Sequence, residues 1–167
     1  MMALLFIISA ILLAITTSIE KDPDVGRDMI EIVLNKGYPI QEHFVTTEDG
    51  YVLGTFRIPY GRNESKNALN SGKPVILLQH GLLDSSYTWV NNPVYESLGF
   101  LLADAGYDVW LGNNRGNTYS KRHAWLHTNT DAFWNFSWDE MARYDSPNTI
   151  EYILDFTNKS QLAYVGH

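Results

Sequence analysis

Residues 74–83 read Pro74-Val75-Ile76-Leu77-Leu78-Gln79-His80-Gly81-Leu82-Leu83, an apolar run that ends in a His-Gly pair. Such runs are typical of strands that are buried on both faces of a parallel sheet. A glycine after the strand lets the backbone turn, so that the next N–H points into the crevice where ligands of open α/β sheets bind. An acyl-transfer enzyme needs a backbone donor there, about 3 Å from the developing oxyanion. A plain strand-ending turn is the competing interpretation.

Strand and helix patterns alternate on both sides of this run. Upstream, a short helix over residues 29–34 precedes two β-rich runs, 42–47 and 51–59, that flank Asp49-Gly50, a strong hairpin signal. Downstream, we expect a helix capped by Asn92, strand 107–111, a helical look over residues 137–144, a helix starting at Asp145-Ser146-Pro147, and strand 162–165. The inner faces of the first and last of these helices are predicted to carry Leu98, Leu101, Leu102 and Ala105, and Ile150, Ile153 and Leu154. This order predicts an α/β fold with a parallel sheet that is opened by a hairpin.

The strand predicted over residues 162–165 is followed by Gly166-His167. In a G-x-S-x-G nucleophile elbow, glycines around the serine permit the strained turn that lifts its hydroxyl above the sheet. Gly166-His167 matches the first two positions of that motif, and the match carries weight because it follows the His80-Gly81 turn in the right order. We therefore expect the nucleophile to be the residue after His167, and the 167 residues by themselves to lack esterase activity.

With these features in place, the chain resembles the acid lipase family, which comprises the gastric and lysosomal acid lipases and their epidermal relatives. The matching stretches cover nearly everything after the first 18 residues, in order. They are residues 45–51 (VTTEDGY), 79–83 (QHGLL), 97–110 (SLGFLLADAGYDVW), 112–118 (GNNRGNT), 133–134 (FW), 139–142 (DEMA), 144–145 (YD) and 164–167 (YVGH).

The resemblance implies a Ser-Asp-His lipase on an α/β-hydrolase fold that acts on neutral lipid esters without a cofactor or metal. Residues 19–167 would form the N-terminal part of the hydrolase domain, up to the strand of the nucleophile elbow. The lid, the nucleophile, the acid, the catalytic histidine and the C-terminal half would lie beyond it. Carried over to this sequence, the backbone N–H of Leu82 would be one oxyanion-hole donor.

The first 18 residues indicate a secretory signal peptide. They carry no charged side chain, and the apolar stretch Ala3 to Ile15 is too short for a membrane-spanning helix, which needs about 20 residues. An uncleaved anchor or a buried helix remains the alternative. Three sequons, at Asn63, Asn135 and Asn158, support the secretory route, to the outside or to lysosomes. Asn158 matches a glycosylation position of the family, whereas Asn135 stands where its members often have alanine.

Several other chemistries are disfavoured. The net charge of −7 argues against nucleic acid as a partner. His123-Ala124-Trp125-Leu126-His127 has the spacing of a zinc-protease motif but alanine in place of its glutamate, so we interpret the two histidines as structural. The loop of residues 112–118 has the glycines but not the lysine of a phosphate loop. We interpret Arg115 as an ion-pair partner beside the crevice and not as a catalytic group.

Two further functions stay open. In one, the nucleophile after His167 is an aspartate, as in haloalkane dehalogenases and epoxide hydrolases. A serine at that position supports the lipase, and an aspartate supports this alternative. Alternatively, the 167 residues are a non-catalytic truncated form that is unstable or that binds lipid or a partner. In that case the last strand is an exposed apolar edge, through which the chain would self-associate.

Overall fold

The computed structural model of the protein describes residues 22–65, 67 and 72–167. The signal peptide predicted for residues 1–18 lies outside the described residues. The strands are β1 (Gln41–Thr46), β2 (Tyr51–Ile58), β3 (Val75–Gln79), β4 (Asp108–Gly112), β5 (Arg122–His123) and β6 (Ala163–Gly166). The α-helices are α1 (Met29–Asn35), α2 (Leu98–Asp104), α3 (Asp131–Trp134), α4 (Trp138–Glu140) and α5 (Ser146–Thr157). A 3₁₀-helix, Ser86–Trp89, follows β3, and a π-helical turn, Met141–Asp145, joins α4 to α5.

The strands form one mixed sheet in the order β1-β2-β4-β3-β6, and the short β5 pairs with β2. β1 and β2 are the predicted antiparallel hairpin, whereas β4 and β6 both run parallel to β3. In the pairing register, Gln79 lies opposite both Gly112 and Gly166. The carboxyl ends of β3, β4 and β6 therefore meet at one edge of the sheet, and this confirms the predicted α/β fold.

The central strands are buried as their apolar runs predict. Every residue of β3 and β4 is buried, and Leu78, Val109 and Leu111 are completely inaccessible to solvent. The hairpin turn is fixed by Gly50, whose φ of +97° lies in the left-handed region. The Thr47 hydroxyl closes the same turn by donating to Asp49 Oδ1 at 2.6 Å.

Helix α2 differs from its prediction. It begins at Leu98 and not after Asn92, because the Ser97 hydroxyl donates to the Asn92 carbonyl oxygen at 2.8 Å and accepts from the Asn92 N–H at 3.1 Å. These bonds fold residues 92–97 into a turn, and the helix then starts with a different face toward the sheet. Gly99, Phe100 and Ala103 are buried, whereas Leu101 is 44% exposed. The predicted inner position of Leu101 is therefore wrong, as is that of the exposed Ala105.

Helix α5 buries Ile153 completely, with Ile150 and Leu154 partly buried beside it, as predicted. Asp145 does not form a separate helix start, because the chain is already helical before it. Asp145 is itself helical, with φ −62° and ψ −51°, and continues from the π-helical turn. Its carboxylate does not cap the helix because it binds Arg115. Across the described residues, none of the helices combines the length and the apolar character that a bilayer crossing requires.

Candidate active site

An open cleft of about 490 Å³ lies just beyond the carboxyl ends of β3 and β4. The loop after β3, residues 80–85, forms one wall, and the loop after β4 forms the second. The apolar side of the cleft is completed by Trp134, Phe136 and Met141. Parallel α/β sheets bind their ligands in this position.

The predicted oxyanion donor, Leu82, lies on the first wall of this cleft. The side chains of the loop after β3 project outward, so that Leu82 is 61% and Leu83 is 97% exposed. Leu83 has a φ of +62°, a strained left-handed conformation for a branched apolar residue. Within the described part of the chain, the Leu82 N–H makes no hydrogen bond.

The loop after β3 touches the end of β6. A Cβ atom added at Gly81 would lie 2.9 Å from the carbonyl oxygen of His167 and 3.1 Å from its Cε1 atom. The ring of His167 also packs edge-to-face on Trp89, with 5.5 Å between the ring centroids. Gly81, which lines the cleft, therefore allows two sequence features that are more than eighty residues apart, the His-Gly turn and Gly166-His167, to come into contact.

The ring of His80 is buried beneath this loop and bonds through both nitrogens. Its Nδ1 lies 2.7 Å from the Gly81 carbonyl oxygen. Its Nε2 accepts from the Asn114 N–H and from Asn117 Nδ2, each at 3.1 Å. Burial lowers the pKa of His80 below the usual histidine value. Because Nε2 accepts from a backbone N–H, the hydrogen-bond pattern assigns the ring proton to Nδ1.

Sequence reasoning missed the asparagine network that joins the two loops. The side chain of Asn113 donates to the Gly54 carbonyl oxygen at 2.7 Å and accepts from the Ser86 N–H at 2.9 Å. Asn117 Nδ2 in turn donates to Asn113 Oδ1 at 2.8 Å. The available signal was the clustering of three asparagines directly after a buried strand, where amides can bridge loops.

Arg115 is the buried ion-pair partner that the sequence predicted. Its Nη1 donates to Asp49 Oδ2 at 2.6 Å, and its Nε donates to Asp145 Oδ1 at 2.8 Å. The guanidinium also lies 4.0 Å from the ring centroid of Tyr51. With 1% of its side chain exposed, Arg115 ties the hairpin turn to the start of α5.

The two carboxylates that share this guanidinium have opposite pKa shifts. Burial raises the pKa of Asp145 to about 6, against the hydrogen bonds and the charge of Arg115. Burial also raises the pKa of Asp49, but hydrogen bonds from Arg115 and Thr47 outweigh this effect and hold that pKa below its usual value. The charge and hydrogen bonds of Arg115 are therefore sufficient to lower the pKa of Asp49, but not to offset the burial that raises the pKa of Asp145.

The remaining motifs take structural roles. His123 Nδ1 accepts from the N–H groups of Trp125 and Leu126, each at 3.2 Å, and His123 Nε2 donates to the Asp49 carbonyl oxygen at 3.1 Å. No cluster of three or more potential metal ligands occurs within residues 22–65, 67 and 72–167. In the loop of residues 112–118, the Asn114 and Arg115 N–H groups bind His80 and Asp145 and do not form a phosphate cradle.

The three sequon asparagines are all exposed. Asn63 lies in the loop after β2, Asn135 follows α3, and Asn158 ends α5 in a left-handed conformation with φ +52°. Their glycosylation stays a prediction.

Comparison with known proteins gives matches over most of the chain. Residues 29–93 match a partial α/β-hydrolase lipase region, and residues 74–167 match the family described as α/β hydrolase fold. Human lysosomal acid lipase/cholesteryl ester hydrolase is 52% identical over 147 residues, which are 87% of this chain and 36% of that protein. Mouse gastric triacylglycerol lipase is 49% identical over 148 residues, which are 88% of this chain and 37% of that protein.

Among solved structures, an esterase of Pyrococcus furiosus superposes with a TM-score of 0.55 at 14% identity, over 80% of this chain and 44% of the esterase. At that identity the likeness supports the fold alone. The chain thus spans little more than a third of the length of the two curated relatives.

Proposed function

Because the chain belongs to the α/β-hydrolase fold family and, within it, to the acid lipases, we propose that the whole protein is a serine hydrolase of neutral lipid esters. The observation that carries the proposal is the contact between the His80-Gly81-Leu82 turn and Gly166-His167 beside one cleft. We propose the activity for the whole protein because the matched part of this chain spans only 36% of the human relative.

The proposed reaction begins at the serine that follows His167 in the whole protein. Its hydroxyl oxygen attacks the ester carbonyl carbon while a histidine from the remainder of the protein takes the proton. The Leu82 N–H and the N–H of the residue after the nucleophile stabilise the oxyanion. The alcohol then leaves with the proton from the histidine, and water hydrolyses the acyl-serine to release the fatty acid.

The described cleft suits an acyl chain. Its walls carry the apolar side chains of Leu82, Leu83, Trp134, Phe136 and Met141. Burial of apolar chain atoms against such side chains contributes about 25 cal/mol for each Å² removed from water. The reaction requires no cofactor or metal.

The substrate class follows from the names of the relatives, which act as a cholesteryl ester hydrolase and a triacylglycerol lipase. We propose one of these two neutral esters as the substrate, and the secretory route to the outside or to lysosomes as the destination. Exposed Asn63, Asn135 and Asn158 are the proposed glycosylation sites. A mass decrease after peptide N-glycosidase treatment of the secreted protein tests that route.

The function is tested by expressing the whole protein and measuring hydrolysis of p-nitrophenyl butyrate, a triacylglycerol emulsion and cholesteryl oleate. The matched control replaces the serine after His167 with alanine. We expect activity on the soluble ester and on one of the two lipids, and loss of both in the control. An aspartate at that position, or an inactive wild type, would contradict the proposal and favour the epoxide hydrolase alternative or a non-catalytic role.

A polypeptide limited to the 167 residues is proposed to be inactive and to self-associate. Among the described residues β6 pairs only with β3, and Tyr164 on it is 49% exposed. An unpaired strand edge offers N–H and C=O groups to another chain. Size-exclusion chromatography of this polypeptide tests the proposal, since a monomeric, cooperatively melting species would contradict it.

A further inference from the structure

We propose that His80 is a positioning residue that aims the Leu82 N–H at the oxyanion, with its tautomer fixed from the loop after β4. This inference rests on the proposed function and assigns a role to a buried side chain that the proposed reaction does not itself use. Three contacts of one imidazole ring carry it.

One peptide unit sets the direction of the Leu82 N–H. The Gly81 carbonyl and the Leu82 N–H belong to the same planar amide and point in opposite directions. Nδ1 of the buried His80 ring lies 2.7 Å from the Gly81 oxygen, which also accepts from the Asp84 N–H at 3.3 Å. The Leu82 N–H therefore points away from these two contacts, and Leu82 itself lines the cleft.

The hydrogen-bond partners of His80 fix its tautomer. A backbone N–H can only donate, so the Asn114 N–H at 3.1 Å requires His80 Nε2 to be an acceptor. The ring proton must then lie on Nδ1, which is the atom that faces the Gly81 oxygen. Since a carbonyl oxygen can only accept, the two contacts agree on one protonation state.

Asn117, the second donor to His80 Nε2, is itself held in place by hydrogen bonds. Asn117 Nδ2 also faces His80 Nε2, at 3.1 Å. The orientation of the Asn117 amide is set by Asn113 Oδ1, which itself accepts from the Ser86 N–H at 2.9 Å. A chain of hydrogen bonds therefore runs from Ser86 through Asn113 and Asn117 to His80, which positions the Leu82 N–H.

Two substitutions in the whole protein separate positioning from packing. His80→Asn places an amide NH₂ where Nδ1 was, and His80→Gln places it where Nε2 was. We expect kcat for p-nitrophenyl butyrate to fall at least about tenfold in His80→Gln, toward the roughly 10²-fold to 10³-fold cost of losing an oxyanion donor. KM should stay unchanged in both variants, and His80→Asn should retain most of kcat. Thermal melting of both variants is the stability control.

Equal kcat values for the two variants, with an active wild type, would overturn the role of His80. An inactive wild type would instead overturn the proposed function, and this inference with it. Nitrogen NMR of the ¹⁵N-histidine-labelled whole protein gives a reading that does not need a folded variant. A proton on His80 Nδ1 supports the inference, and a proton on Nε2 overturns it.

Discussion

At the scale of single residues, Arg115 is the charge on which the hairpin turn and α5 depend. Replacing it with methionine keeps an unbranched apolar stem but removes the guanidinium, which leaves Asp49 and Asp145 without their shared cation. We expect Arg115→Met to lower the free energy of unfolding by about 3–5 kcal/mol, the usual cost of breaking a buried ion pair by removing one partner. Urea denaturation of the whole protein measures this change.

The matched control is Arg143→Met, because Arg143 is exposed. Substitutions at such positions usually stay within about 0.5 kcal/mol. Equal losses for the two arginine variants would contradict the structural role given to Arg115.

Asp145 makes a pH-dependent prediction. Its pKa rises from 3.8 to about 6 on folding, so the folded state binds this proton more tightly than the unfolded state does. The stability that this proton contributes is present below about pH 4 and is lost as the pH rises through about 6. Asp49, whose pKa is lowered, has the opposite effect on stability. Its contribution is present both in the wild type and in the variant Asp145→Asn, so it does not drive the difference between them.

We therefore expect the stability of the wild type relative to Asp145→Asn to decrease between about pH 4 and pH 7. Thermal melting of both proteins across this range measures the difference. A relative stability that increases with pH would show that the ion pair with Arg115 outweighs the burial of the carboxylate.

The kind of role a residue takes could be predicted from the sequence, but its partners could not: those of Arg115 lie 30 and 66 positions away. The His-Gly turn and the structural role of Arg115 followed from local patterns. The tautomer of His80 did not, because Asn114 and Asn117 lie 34 and 37 positions away and their approach depends on the pairing of β3 with β4.

At the scale of elements, α2 offers a direct test of which face is buried. Phe100 is fully buried and stacks on Tyr38 at 4.5 Å between ring centroids, whereas Leu101 is 44% exposed. We expect Phe100→Ala to cost about 3–5 kcal/mol of unfolding free energy. Leu101→Ala, the matched control on the next residue, should change it by less than about 0.5 kcal/mol. A larger loss for Leu101→Ala would restore the face that the sequence predicted.

The central strands were predictable because apolar residues follow one another in them, as in Val75 to Leu78. The helix limits were less so. Asn92 and Pro93 form a valid helix start by local rules, but the side chain of Ser97 binds the backbone of Asn92 and delays the helix. Asp145 likewise has the sequence of a cap, yet its carboxylate is engaged by Arg115, so the π-helical turn runs straight into α5.

At the scale of the whole molecule, the sheet brings three distant stretches to one cleft. The turn after β3 supplies the proposed oxyanion donor, the loop after β4 fixes that turn, and the end of β6 leads to the proposed nucleophile. The parallel pairing of β3 with β4 and β6 is sufficient to explain this meeting. We propose that a reactive serine stands directly after Gly166-His167 in the whole protein.

The most direct test is to treat the whole protein with a fluorophosphonate probe and to identify the modified peptide by mass spectrometry. We expect one adduct, on the serine immediately after Gly166-His167, and none after that serine is replaced with alanine. An adduct on a different residue, or an unreactive protein with another side chain in that position, would contradict the assignment.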